Sequence, residues 1–325
     1  MTLTDQIKRA ARESGFDAVG ISRLEPAPED LSGTLQARLQ EWVRRGYHGV
    51  MQWMARDPAR RADPRRVLPG CRSIISLGVN YYTDHQPDER PGHGRIARYA
   101  WGHDYHDVLR ERLEQFQARL AALAPGQTTR GYVDTGPVME KAWAQRAGLG
   151  WIGKHSNLVS VRYGSWLLLA EVLTTLDLLP DEPGADLCGS CTLCIRACPT
   201  GAIAEPYLVD ATRCISYLTI ELRGDGHQIP DELARQMDNR IFGCDDCLDV
   251  CPYNVNASPT SDRAFQPAEP ALAPNLEEMA ALTEAGYIDT FRGRPLTRPK
   301  HAGFLRSVCI ALGNLTRRHS TALPC

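Results

Sequence analysis

Eight of the eleven cysteines fall between residues 188 and 251, in two runs that each end in Cys-Pro. The first reads Cys188-x2-Cys191-x2-Cys194-x3-Cys198-Pro199. The second is Cys214, then Cys244-x2-Cys247-x3-Cys251-Pro252. Thiols this dense cross-link, bind zinc or hold iron–sulfur clusters. The C-x2-C-x2-C-x3-C-P run is the bacterial two-cluster pattern, and eight thiolates complete two [4Fe–4S] clusters. In that pattern the fourth cysteine of a run crosses to the other cluster. Cys188, Cys191, Cys194 and Cys251 then form one ligand set; Cys198, Cys214, Cys244 and Cys247 form the other. The second set departs from the simple repeat, because Cys214 lies far upstream of its partners. The intervening residues 215–243 have the length to cover a cluster or touch a substrate. Cys71, Cys309 and Cys325 stand alone and read as ordinary small thiols. Paired clusters move single electrons, so the chain is expected to be redox-active.

The 325 residues suffice for two or three domains with a sizeable core. Hydrophobic residues make up 43% and charged residues 23%, with a net charge of −2. No global field therefore favours nucleic acid or membrane, and any such preference must be local. The opening MTLTDQIKRAARESG is charged and amphipathic and lacks the apolar core of a secretory signal. The most apolar stretch, Trp166 to Leu179, carries Glu171 and Asp177 and falls short of the ~20 residues that span a bilayer. The expectation is a cytoplasmic protein with no membrane segment. Thiols there stay reduced, which favours metal over disulfides.

Periodicity predicts helices over 4–14 (ended by Gly15), 34–45, 104–123 and 137–147, and in the tail near 276–286 and 301–316. The 104–123 helix places Leu109, Leu113, Phe116, Leu120 and Leu123 on one face. Strands are expected over 17–21, 73–79, 130–133, 157–162 and 166–174, with a loop over 84–94. A break at Leu179-Pro180-Asp181-Glu182-Pro183-Gly184 divides the chain. The fold class expected is α+β, with a mixed domain over 1–180, a ferredoxin-like cluster domain over 181–258 and a helical segment over 259–325.

Gly148-Leu149-Gly150-Trp151-Ile152-Gly153 matches GxGxxG formally. A dinucleotide fingerprint must follow a strand and open a helix; this one follows a helix and enters a strand. It reads instead as a glycine-rich turn that brings backbone close to a ligand. Upstream, Tyr132-Val133-Asp134-Thr135-Gly136-Pro137 places Asp134 at a strand-to-helix turn. There it either caps the helix or presents an acid to a pocket. A catalytic acid would need burial to raise its pKa. His103-x2-His106 lacks further ligands and reads as helix-start or cofactor-side polar residues.

Three stretches together carry a resemblance: Arg98-Tyr-Ala-Trp-Gly-His-Asp-Tyr-His106; Val133-Asp-Thr-Gly-Pro137 with Arg146-Ala-Gly-Leu-Gly-Trp-Ile-Gly-Lys154; and the cysteine module. Over residues 5–315 the chain resembles the epoxyqueuosine reductases, cobalamin-dependent enzymes of tRNA modification. The resemblance implies a nitroreductase-like α/β domain that binds cobalamin, followed by the double-cluster module. It implies base-off cobalamin with no protein histidine on cobalt; the DxHxxG motif of histidine-ligated proteins is indeed missing. It assigns Asp134 as proton donor, and Arg61 and Leu158 as cofactor contacts. Ala97 departs from relatives that carry cysteine there, so such a cysteine is not essential to this chemistry. Some relatives extend into helical repeats; with this sequence ending at Cys325, tRNA contacts of that kind are in doubt.

The activity implied is reduction of epoxyqueuosine to queuosine at the wobble position of a tRNA anticodon. An external low-potential donor feeds the clusters, the clusters feed cobalamin, and Asp134 protonates the epoxide oxygen. Two basic runs are candidates for phosphate contacts: the C-terminal one is expected to meet tRNA, and the 56–66 run reads as partly cofactor-facing. Residues 56–66 hold five arginines, and residues 290–318 hold Arg292, Arg294, Arg298, Lys300, Arg306, Arg317 and Arg318 without an acid. The alternative is a reductive dehalogenase with the same cofactors, although no twin-arginine signal is present. A plain electron carrier has no use for so long an upstream domain. A monomer is expected.

Overall fold

The computed structural model describes residues 2–24, 31–87, 90–223 and 229–321. They group into two units, each assembled from separated stretches. The first takes Met1–Asn80, His106–Cys191 and Pro252–Ser258; the second takes Tyr81–Tyr105, Thr192–Cys251 and Pro259–Cys325. The architecture is α+β, as expected.

The first unit is built on a four-stranded antiparallel sheet. Its strands are β1 (Ala18–Arg23), β2 (Ser73–Asn80), β3 (Thr129–Tyr132) and β6 (Leu167–Thr174), in the order β1-β2-β6-β3. All eight residues of β2 are buried, Ser73, Ser76 and Asn80 among them. Helix α1 (Leu3–Glu13) opens with a reciprocal cap: Thr2 Oγ1 accepts from Asp5 N–H, and Asp5 accepts from Thr2 N–H. Just past its end, Gly15 has φ 89°, a conformation that favours glycine. Helix α2 spans Leu31–Arg44. Helix α3 (Tyr105–Leu123) buries Leu109, Leu113, Phe116 and Leu120, and Leu123 is half-buried. Phe116 meets Phe16 edge-on at 6.3 Å.

Helix α4 covers Glu140–Arg146 and so starts after Pro137 rather than at it. A hairpin of β4 (Trp151–Ile152) and β5 (Leu158–Val159) follows. The strand expected over 157–162 is shorter because Ser160 and Gly164 exchange backbone hydrogen bonds and turn the chain. The GxGxxG stretch therefore leads from a helix into a hairpin, with no nucleotide-binding geometry.

In the second unit, the helix Lys300–Thr321 packs on the strand Arg240–Phe242, which pairs in parallel with Arg95–Ile96. Trp101, Phe242, Leu276, Tyr287, Phe291 and Phe304 fill the space around them. The ring centroids of Phe291 and Phe304 are 5.2 Å apart. The single helix expected near 276–286 is two, Leu276–Ala280 and Glu284–Phe291. Thr283 interrupts by accepting Gly286 N–H at 3.1 Å and capping the second.

At Gly150 an added Cβ would lie 2.0 Å from the Val159 carbonyl oxygen. Gly150→Ala should therefore force the hairpin apart and destabilise the protein by about 1–3 kcal/mol. A thermal melt of the variant checks this, and an unchanged midpoint would contradict the packing.

Candidate functional site

Four thiols converge in the second unit. Cys198 ends the helix Leu193–Ala197, which packs on the helix Asp246–Asp249 that carries Cys247. Cys214 follows the 3₁₀ turn Ala211–Arg213, and Cys244 follows Gly243. Thr219 joins these segments. Its hydroxyl donates to the Ile215 carbonyl at 2.8 Å and accepts Gly243 N–H at 2.9 Å. That hook brings the displaced Cys214 segment to the Cys244 loop, and no spacing rule announced it. Burial pushes the thiols of Cys214, Cys244 and Cys247 up. Neighbouring thiolates push further: Cys198 on Cys214, Cys214 on Cys244, and all three others on Cys247. The four thus lie within one another's field. Among the described residues no three or more His, Cys, Asp or Glu close tightly enough for a single metal ion. A cubane carries its thiolates further apart, on separate irons.

Of the remaining set, Cys188 and Cys191 belong to the first unit, where Cys191 N–H donates to the Cys188 carbonyl at 3.0 Å. Cys194 and Cys251 belong to the second unit. All of these cysteines are free thiols. Cys71 is buried, with its thiol pushed up to about 11 by burial; Cys309 is exposed; Cys325 lies outside the described residues.

The second constellation lies in the first unit. Asp134 leaves β3 with φ 55°, and Thr135 N–H closes back on the Val133 carbonyl at 2.5 Å. Asp134 does not cap α4, whose N-cap is Met139 without a side-chain bond. Instead its own N–H donates to Glu140 Oε1 at 2.9 Å, and its carboxylate lies 3.3 Å from His106 Nε2. Burial, then the Asp134 charge, pushes the Glu140 carboxyl up to about 8, against the bond from Asp134 N–H and the charges of Lys141 and His106. Arg61 faces the same charges. Burial disfavours its cationic form, and Asp134 and Glu140 support it. Behind Glu140, Glu171 is fully buried, accepts from Ser76 Oγ at 2.8 Å and is pushed well up, first by burial and then by Glu140.

Arg61 and Asp134 are therefore brought together. Leu158 packs with Ala144, Ala147 and Leu149. Next to it, Ser156 has φ 63°, and its buried hydroxyl has no hydrogen-bond partner among the described residues. Glu140 and Glu171 were not among the expected site residues, and His106 was read as a helix-start or cofactor-side polar residue. The visible signal was Glu171, an acid inside the most apolar strand.

The basic C-terminal run is largely committed to the fold. Arg292 pairs with Asp289, and Arg298 binds Glu221 through two nitrogens at 3.0 and 3.2 Å. Arg294 donates to the carbonyls of Trp101 and Gly102, and Arg306 to those of Leu218 and Leu222. Arg317 is exposed, and the side chain of Arg318 lies outside the described residues. In the other run, Arg56, Arg60 and Arg66 are exposed, while Arg65 pairs with Asp63.

A thiol-lined cluster module in a chain that also positions a carboxylic acid at a strained turn defines an iron–sulfur oxidoreductase. Residues 61–135 match the family model described as epoxyqueuosine reductase QueG, DUF1730, and residues 187–254 match the 4Fe-4S double cluster binding domain. The epoxyqueuosine reductase of Synechocystis sp. is 46% identical over 285 residues, covering 87% of this chain and 97% of that protein. An epoxyqueuosine reductase solved with an epoxyqueuosine-modified tRNA-Tyr stem loop superimposes with a TM-score of 0.87 at 30% identity, covering 96% of this chain and 81% of that one. The Bacillus subtilis epoxyqueuosine reductase, solved with its catalytic aspartate loop swung out of the active site, gives 0.87 at 29% identity, covering 98% and 83%. The chain belongs to the epoxyqueuosine reductase family. Among the described residues no helix is long and apolar enough to cross a membrane.

Two outcomes follow from the geometry. Glu140 holds a proton in the folded state that the unfolded chain releases above its ordinary value of 4.5. Its contribution to stability should therefore fall as pH rises from 4.5 to about 8 and be flat outside that window. Denaturant unfolding should show Glu140→Gln gaining on the wild type between those limits; a constant difference would refute the shift. With Cys214 in the expected ligand set, Cys214→Ala should leave about half the iron and acid-labile sulfide. Elemental analysis after anaerobic reconstitution decides this, and full iron content would remove Cys214 from the ligand set.

Proposed function

We propose that the protein reduces epoxyqueuosine to queuosine in tRNA, with Asp134 as the proton donor. The observation that carries this reading is the Asp134 turn. A carboxylic acid stands at a left-handed φ, tied by its N–H to Glu140, with His106 and Arg61 facing it. The relative bound to a modified tRNA stem loop supports the substrate, and the relative with a catalytic aspartate loop supports the acid. The dehalogenase alternative has no comparable support.

Two [4Fe–4S] clusters take the eight cysteines: Cys188, Cys191, Cys194 and Cys251 for one, and Cys198, Cys214, Cys244 and Cys247 for the other. Cobalamin in its base-off form would lie against Arg61, Leu158 and Asp134. The residues fit such a ligand: Arg61 suits a phosphate or amide oxygen, the unpartnered Ser156 hydroxyl suits an amide, and Leu158 supplies apolar wall. When bound, cobalamin supplies reduced cobalt for opening the epoxide.

This chain's residues manage the proton. Forming the alkene takes two electrons and two protons and releases the epoxide oxygen as water. Asp134, protonated, donates to that oxygen as its bond to carbon breaks. His106 orients the carboxyl, and Glu140 fixes the backbone that carries it. A neutral Glu140 keeps a second negative charge away from the acid. The electrons enter from an external low-potential donor. The enzyme acts as a monomer in the cytoplasm, where its thiols stay reduced.

Asp134→Asn should cut turnover by about 10²–10⁴-fold, the usual worth of general-acid help. Iron content and the cobalamin absorption spectrum should persist. A turnover assay on an epoxyqueuosine-modified anticodon stem loop tests this, and undiminished turnover would overturn the role of Asp134.

A further inference from the structure

The glycine-rich turn of residues 148–154 has no part in the chemistry above, yet it places two donors on one cysteine loop. The indole of Trp151, only 1% exposed, donates from Nε1 to Cys188 Sγ at 3.4 Å. Its ring is held edge-on by Tyr253, with centroids 4.7 Å apart. The ammonium of Lys154, 9% exposed, donates to the carbonyls of Gly189 at 2.6 Å and Cys191 at 2.9 Å. Bare backbone makes this reach possible. A Cβ on Gly150 would strike the Val159 carbonyl, and one on Gly184, ahead of Cys188, would lie 1.8 Å from the Gly150 carbonyl. The turn, the hairpin and the start of the cysteine loop thus interlock at main-chain contact.

A buried cation is costly unless an opposite charge answers it. The partners named for Lys154 are neutral carbonyls, and both belong to the loop that carries Cys188 and Cys191. An N–H aimed at a cysteine sulfur is a lever on a cluster's potential. Thiolate-bound clusters carry net negative charge, which grows by one on reduction. A hydrogen bond to sulfur and a fixed cation both favour the more negative state.

We infer that Trp151 and Lys154 raise the reduction potential of the cluster bound through Cys188 and Cys191, and so ease its uptake of an electron. The inference rests on the proposal that these cysteines are cluster ligands. It does not rest on the epoxide chemistry, and failure of the ligand assignment reads out separately as iron retained when Cys188 and Cys191 are replaced by alanine. Both residues act through the thiolates and their loop, so they are positioning residues.

The test is an EPR-monitored redox titration of the full-length protein, reconstituted anaerobically. The variants are Trp151→Phe, Lys154→Gln and Lys154→Arg. At the wild-type midpoint, Lys154→Gln should lower the reduced-to-oxidised ratio of one cluster about tenfold, ~59 mV for a one-electron couple. Trp151→Phe should shift the same signal in the same direction, Lys154→Arg should leave it near wild type, and the second cluster should not move. Unchanged midpoints in variants with full iron and sulfide would overturn the inference. So would an equal shift in Lys154→Gln and Lys154→Arg, which would make the effect one of packing. If Lys154→Gln fails to hold its cluster, Trp151→Phe decides alone. It keeps the ring and removes one hydrogen bond, and an unmoved midpoint there would sink the idea.

Discussion

A buried thiol resists ionisation, and thiols gathered within one another's field resist it together. Cys214, Cys244 and Cys247 are each pushed up by burial first; neighbouring thiolates add to this, and at Cys244 the Asp246 charge adds more. Such a gathering is tolerable as neutral thiols and becomes useful only when a cationic core displaces the protons. Metal uptake and folding are then linked, since binding to thiolates feeds directly into stability. The connections that deliver the thiols are slight: short helices at Cys198 and Cys247, a 3₁₀ turn at Cys214 and the Thr219 hydroxyl between two segments.

The acid site obeys a related rule with the opposite resolution. A non-glycine residue at left-handed φ costs roughly 1–3 kcal/mol and persists where its surroundings over-determine it. At Asp134 the surroundings are the bond to Glu140, the closure from Thr135 to Val133 and the His106 contact. Glu140 can do this beside another carboxyl because burial keeps it protonated through neutrality. Glu171 behind it adds to that pressure. Burial thus holds the thiols of Cys214, Cys244 and Cys247 neutral in one unit, and the Glu140 carboxyl beside Asp134 neutral in the other.

Local patterns made much of this legible. The cysteine runs gave the cluster module, and the apolar faces of α1 and α3 gave their helices to within a few residues. The Asp134 turn was visible as a strand running into a helix. What escaped was decided by contacts distant in sequence or by side-chain caps. Pro137 looked like a helix start, but the chain spends Gly136 to Met139 returning Glu140 to the Asp134 backbone. Thr283 splits one apparent helix into two. Glu171 was a contradiction in an apolar strand, and its meaning needed Ser76 and Glu140 opposite it.

Charge runs were the least transferable signal. Seven cations between residues 290 and 318 suggest a phosphate-binding face by count alone. In the fold, Arg294 and Arg306 satisfy main-chain carbonyls, and Arg298 answers Glu221. A guanidinium bonded to buried carbonyls has a fixed position and little freedom to follow a phosphate backbone. Removing it would damage packing before it weakened any RNA contact. Counterion release, which dominates nucleic-acid affinity, is available only to cations that can reach phosphates. By that criterion the exposed Arg56, Arg60 and Arg66 are better candidates than Arg294, Arg298 and Arg306. All three flank Arg61, whose own charge is directed to Asp134 and Glu140. One short segment therefore carries a cation for the acid site beside three exposed arginines.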